Sequence, residues 1–234
     1  MNALAKHFSL GGLLRFAAPA VGMMLVISIY TVTDGIFIGR YAGSLALAAS
    51  NIVYPALNLV FGLSIMLSSG GSALVAKTLG EGDAALARSR FTLLAVVGAA
   101  LGILLAGTVF LFMEPILALL GASPELYADC RAYLSANMFF APFVALMIIF
   151  NAFYIADGRP VQGFLVSLTA GLVNVGLDYV FLAHFGMGIF GAGLATGLSD
   201  VVAAVLGLVY FSRYSRTLAF ARCSCAVRPL FQAL

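Results

Sequence analysis

Asp34 and Asp178 interrupt long apolar runs, and each follows an arginine, Arg15 or Arg159, by 19 residues. At about 1.5 Å of helical rise per residue each carboxylate stands roughly 28 Å along its segment, so the two reach one depth. Asn174 precedes Asp178 by four positions and shares its helix face. Thr196 precedes Arg213 by 17 residues, which at helical rise is about 26 Å from the same boundary, and meets that level. Carboxylates beside amide and hydroxyl oxygens can supply hard oxygen ligands to a cation, or take up and release a proton. Each group can instead be satisfied by a neighbouring helix, a reading that suits Asn174 and Thr196 better than the aspartates.

Other residues surround this set. Tyr30 lies one turn before Asp34, where its hydroxyl can donate to the carboxylate. Asp200 lies one turn past Thr196 with no evident charged partner, as an accessory acid or one satisfied by packing. Asn151, counted back from Arg159, belongs nearer the boundary that this arginine marks. Pro19, 15 residues before Asp34, removes a backbone hydrogen bond and predicts a kink that can act as a hinge. His7 and His184 fall at or beyond segment ends and read as solvated interfacial residues. Cys223 and Cys225 form a lone C-x-C without the paired spacing of a zinc site or a disulfide framework. No cofactor is expected.

The elements that must position these groups are membrane spans. Hydrophobic residues make up 63% of the chain and charged residues 9%, against roughly 25% charged in a soluble domain, so the lipid bilayer is the expected solvent. Segments nearly free of charge lie at 16–39, 41–76, 91–113, 132–156, 161–183 and 187–211. Each holds the roughly 20 apolar residues that cross hydrocarbon, without the alternation of a barrel strand. The first lacks a cleavage site and reads as a span rather than a signal peptide. The expected fold is all-α, a bundle of six transmembrane helices. With the N-terminus in the cytoplasm, Lys6, Arg15, Lys77, Arg88, Arg90, Arg159, Arg213, Arg216, Arg222 and Arg228 lie inside and only Arg40 and Arg131 outside, as the positive-inside rule requires. Both termini are then cytoplasmic. The formal charge of +3 resides between spans, so no nucleic-acid partner is expected. Gly98 with Gly102 and Gly193 with Gly197 have the spacing of close helix packing. The loop around Gly80 and Gly82 reads as a solvated turn, and the arginine-bearing tail from Arg213 as a membrane-surface helix or a linker.

In the segments APAVGMMLVISIYTVTDGIFIG, VNVGLDYV and GIFGAGLATGLSD the chain resembles the multidrug and toxic compound extrusion (MATE) transporters, in particular their bacterial and archaeal branch. The resemblance covers nearly the whole sequence. It implies a cation-coupled antiporter of amphipathic, often cationic, drugs or toxic compounds in the bacterial inner membrane. It also implies that Asp34, Asn174, Asp178 and Thr196 bind sodium or a proton. Tyr30 and Asn151 would support them, the Ala192 carbonyl would be a further ligand, and bending of the first helix would centre on Pro19. Members have twelve spans in two lobes, so this chain is expected to be the N-terminal half, with a lobe at 1–220, a linker or truncated tail at 221–234, and a second six-helix lobe as partner. Three other readings compete. A flippase for lipid-linked sugars calls for cations within the spans, which contain no Lys or Arg. An intramembrane aspartic protease calls for two aspartates that share a proton, but the contexts here are T-D-G and L-D-Y. A non-transporting fragment is the third.

Overall fold

A computed structural model describes residues 10–215 and 217–221. Lys6, His7, the Arg15 side chain, Arg216 and the segment 222–234, with Cys223 and Cys225, lie outside the described residues. Eight α-helices fill the described chain: α1 Leu10–Phe37, α2 Ser44–Gly80, α3 Ala84–Leu111, α4 Met113–Leu119, α5 Tyr127–Phe139, α6 Ala141–Ala156, α7 Pro160–Asp178 and α8 Gly188–Val209. Five segments are long and apolar enough to cross a membrane: Ala17–Ala42, Ser44–Gly80, Ala84–Leu111, Pro160–His184 and Gly188–Tyr214. The pair α5 and α6, bent by 54°, supplies a sixth.

Local chemistry sets the boundaries. The Asp83 carboxylate accepts a hydrogen bond from the Leu86 amide at 2.9 Å and caps α3. Pro160 opens α7, where its missing donor is harmless. Gly158 has φ +73°, a left-handed conformation that closes α6 and is cheap only for glycine. The bundle is apolar on its outside: Met24, Ile29, Val32 and Ile36 of α1 are exposed while Asp34 on the same helix is buried. That inversion is stable only where lipid replaces water.

Several elements differ from the sequence expectation. The fourth span is not one helix from residue 132 but two, broken at Phe140. Pro142 explains the break, because it has no amide to donate to Met138 and its ring crowds that carbonyl. The first helix continues through Pro19, as a helix kinked at a proline also does. The second extends past residue 76 to Gly80, and α4 is an additional short helix at the end of the bundle that carries Arg40 and Arg131. Three segments close as π-helical turns, Ile38–Ala42, Tyr179–His184 and Tyr210–Tyr214. Two of them directly follow the stretches that carry Asp34 and Asp178. Single π turns inside helices recur at functional sites.

The glycine pairs do pack helices. A Cβ at Gly102 would lie 2.5 Å from the Pro142 Cα, and one at Gly197 would lie 1.9 Å from the Phe140 ring. Thus α3 and α8 clamp the break in the fourth span from two sides. One apolar core gathers Val53, Leu134, Leu182 and Ala192; a second, aromatic one holds Phe91, Phe150, Phe153 and Phe211, with Phe91 and Phe211 centroids 4.8 Å apart.

Beyond the last π-helical turn, Ser215 and residues 217–221 form a non-helical strap. Ser215 donates to both Asp157 oxygens at 3.1 Å and accepts from the Leu218 amide at 3.0 Å. Tyr210 donates to Asp157 at 2.7 Å. Further along, the Arg88 Nε donates to the Thr217 carbonyl at 3.0 Å, and the Ala221 amide donates to Thr92 Oγ1 at 3.0 Å. The strap thereby crosses from α8 over the end of α6 to α3, with Leu218 fully buried beneath it.

Candidate ion and ligand site

Five polar pairs, each spaced four residues apart, come from the five spans α1, α2, α5, α7 and α8: Tyr30 with Asp34, Tyr54 with Asn58, Tyr133 with Asn137, Asn174 with Asp178, and Thr196 with Asp200. Four-residue spacing puts both members of a pair on one helix face. The pairs from α1, α2, α5 and α8 line a cleft of about 220 Å³, together with Ile27, Thr31, Leu57 and Phe61. The α7 pair does not line the cleft but meets two of the residues that do, Thr196 and Asp34. Asn174 Nδ2 donates to Thr196 Oγ1 at 3.4 Å, and the Asp34 and Asp178 carboxyls are neighbours.

Asn174 and Asp178 are fully buried and Asp34 nearly so. Asp34 Oδ1, Asn174 Oδ1 and both Asp178 oxygens are sealed from the cavities without a hydrogen bond among the described residues. Buried acceptors left unpaired are costly, and two facing carboxylates repel unless a proton or a cation lies between them. The orphaned atoms are all hard oxygens, the donor chemistry that sodium takes and that a shared proton also satisfies. A small cation or a shared proton therefore fits the residues present.

Of the residues singled out in the sequence, Asp34, Asn174, Asp178 and Thr196 come together. Tyr30 and Asp200 line the same cleft, but Tyr30 makes no hydrogen bond to Asp34 Oδ1. Ala192 is buried one turn before Thr196 in the apolar core. Asn151 does not line the cleft itself: its amide lies 3.2 Å from Met147 Sδ, its oxygen accepts from Ser167 at 3.5 Å, and it faces a small cavity shared with Tyr30 and Asp200 and a second, larger one. That cavity, about 470 Å³ and almost entirely apolar, lies between α1, α2 and α6 and shares Ile27, Tyr30 and Phe61 with the cleft. Pro19 lies 15 residues from Asp34 along an unbroken helix. Sequence reasoning missed Tyr54, Asn58, Tyr133 and Asn137. Their signal was the same four-residue spacing that marked Asn174 and Asp178.

The family model MatE matches residues 19–180, a stretch that includes Pro19 and both facing aspartates. The multidrug export protein MepA of Staphylococcus saprophyticus is 28% identical over 204 residues, 87% of this chain and 45% of that protein. MepA of Staphylococcus aureus strain MSSA476 is 29% identical over 203 residues, with the same shares covered. The chain thus spans about half the length of the curated relatives it matches. Among solved structures, the bent form of the Vibrio cholerae MATE transporter VcmN superposes with a TM-score of 0.86 at 23% identity, over 94% of this chain and 50% of that one. A MOP superfamily transporter from Pyrococcus furiosus gives 0.86 at 22% identity, over 94% and 49%. Such low identities speak for the fold, and the matching family model speaks for descent: the chain belongs to the MatE family and corresponds to the N-terminal half of a MATE transporter.

Proposed function

We propose that this chain is the ion-binding lobe of a cation-coupled antiporter that exports amphipathic, often cationic, drugs or toxic compounds across the bacterial plasma membrane. Asp34 and Asp178 alternate between a loaded state, holding sodium or a proton, and an empty one. Asn174 and Thr196 complete the oxygen set, and Pro19 lets the first helix respond. The observation that carries this reading is the sealed, unpaired oxygen cluster beside a cleft lined by four spans. A second six-helix lobe completes the transporter, because alternating access rocks one bundle against another. Both termini face the cytoplasm, on the side of Lys77, Arg88, Arg90, Arg159 and Arg213.

Two facing carboxylates also meet the geometric need of an aspartic protease. The flanking Asn174 and Thr196 and membership in a transporter family favour ion binding instead. No Lys or Arg lines any of the cavities described here, which counts against a pyrophosphate-carrying flippase.

Binding of radioactive sodium, and proton release on substrate addition, to the purified chain in lipid nanodiscs tests the assignment. The parent is expected to show one of these, and Asp34→Asn or Asp178→Asn to weaken it by about tenfold or more, since an amide cannot titrate and is a poorer cation ligand. Unchanged ion binding in both variants would remove the coupling site.

A further inference from the structure

Asp200 does not belong to the sealed cluster. It is 5% exposed, yet neither of its oxygens is sealed and none accepts a hydrogen bond among the described residues. Three of the four oxygens of Asp34 and Asp178, by contrast, are closed off. Asp200 lines the main cleft and two small cavities adjoining it, and it stands within electrostatic reach of Tyr30. A sealed oxygen can receive only a proton or a stripped small ion, whereas an open carboxylate in an aromatic cleft can receive a larger charged group. Four rings, those of Tyr30, Tyr54, Phe61 and Tyr133, line the cleft with Asp200. Aromatic faces attract organic cations, strongly so where water is excluded.

We propose that Asp200 is the residue that selects for positive charge in the transported compound: it holds the head of a lipophilic monocation in the cleft, while the apolar tail enters the adjoining cavity past Tyr30 and Phe61. The two tasks are thereby divided, with the small ion at Asp34 and Asp178 and the organic charge at Asp200. The head space, about 220 Å³, suits one substituted ammonium or phosphonium centre, and the tail space, about 470 Å³ with Met23, Met24 and Met147 in its walls, suits flat or branched hydrocarbon. Flexible thioethers fit tails of different shape. The inference rests on the proposed transporter reading, and the test keeps the two apart.

The full chain in nanodiscs is titrated with tetraphenylphosphonium, with its neutral relative triphenylphosphine oxide, and with radioactive sodium. Asp200→Asn and Asp200→Ser should each weaken tetraphenylphosphonium about tenfold or more, because they remove the counter-charge of a desolvated cation. Both should leave triphenylphosphine oxide within about twofold, since that probe reports an intact pocket and no charge. Asp200→Glu should retain the preference for the cation. Unchanged tetraphenylphosphonium binding in the neutral variants overturns the assignment, as does equal loss of both organic probes, which would mark Asp200 as a packing residue. Loss of sodium together with tetraphenylphosphonium in the Asp200 variants overturns it too, by merging the sites. Failure of the parent to bind either organic probe sinks the inference while sodium binding still speaks for the ion site. Organic binding that follows Asp200 in a parent without sodium or proton exchange upholds it and sinks the coupling reading.

Discussion

Asp34 and Asp178 face each other with three of their four oxygens closed off and no basic side chain lining the adjoining cleft, so the state of this pair decides what the surrounding helices tolerate. A residue that bends a helix and one that binds an ion should fail differently when replaced. Pro19→Ala restores a backbone hydrogen bond in a helix that is already continuous, so sodium or proton binding by the purified chain should stay within about twofold of the parent. Loss of binding in that variant, comparable with Asp178→Asn, would instead mean that the bend builds the site. Much of the site was legible in the sequence, because depth can be counted at helical rise from the flanking arginines. That count brought Asp34, Asn174, Asp178 and Thr196 to one level. Tyr54, Asn58, Tyr133 and Asn137 carry no charge and have no arginine at a matching offset, so they do not stand out until α2 and α5 are seen to turn their faces inward.

At the scale of elements, the break at Phe140 is the feature least visible in advance. Pro142 signals it, but Pro19 and Pro55 also lie inside helices and break nothing, so proline alone does not say where a span divides. The surroundings decide: Gly102 and Gly197 leave room for α3 and α8 to press against residues 140–142. Gly102→Ala should therefore force a backbone shift and destabilise the bundle by about 1–3 kcal/mol. Gly107→Ala, on the same helix with nothing within 4 Å of the added Cβ, should be neutral or stabilising by up to about 1 kcal/mol. Thermal unfolding of the two variants in one detergent checks the contrast, and a smaller effect at Gly102 than at Gly107 would contradict the clamp. The π turns at Ile38–Ala42 and Tyr179–His184 were not legible at all, since register slips of one residue leave no compositional mark.

For the whole molecule, the apolar exterior and the buried acids suit a bilayer, and the end-to-end asymmetry of basic residues is what the proposed orientation rests on. Arg131→Cys should be labelled by an impermeant thiol reagent in intact cells and Arg213→Cys only after lysis, in a background where Cys130, Cys223 and Cys225 are serine; the reverse pattern would invert the topology. The strap at the basic end makes its own prediction. Asp157→Ala removes the acceptor for Tyr210 and Ser215, and should cost about 1–3 kcal/mol. It should also speed hydrogen exchange at the Leu218 and Ala221 amides, and unaltered exchange there would show that Asp157 does not hold the strap. The six spans were readable from charge-free runs, but the strap was not, because Ser215, Thr217 and Leu218 gain meaning only from where Asp157, Arg88 and the aromatic core meet them. The path of this strap has a mechanical corollary. The polypeptide leaves α8, yet after Ala221 it sets out from beside Thr92 on α3. A body attached downstream would therefore pull on α3 and the α6–α7 turn rather than on α8, the helix that carries Thr196 and Asp200. Tension on the tether would reach the frame around the site and spare the helix that lends it two polar side chains.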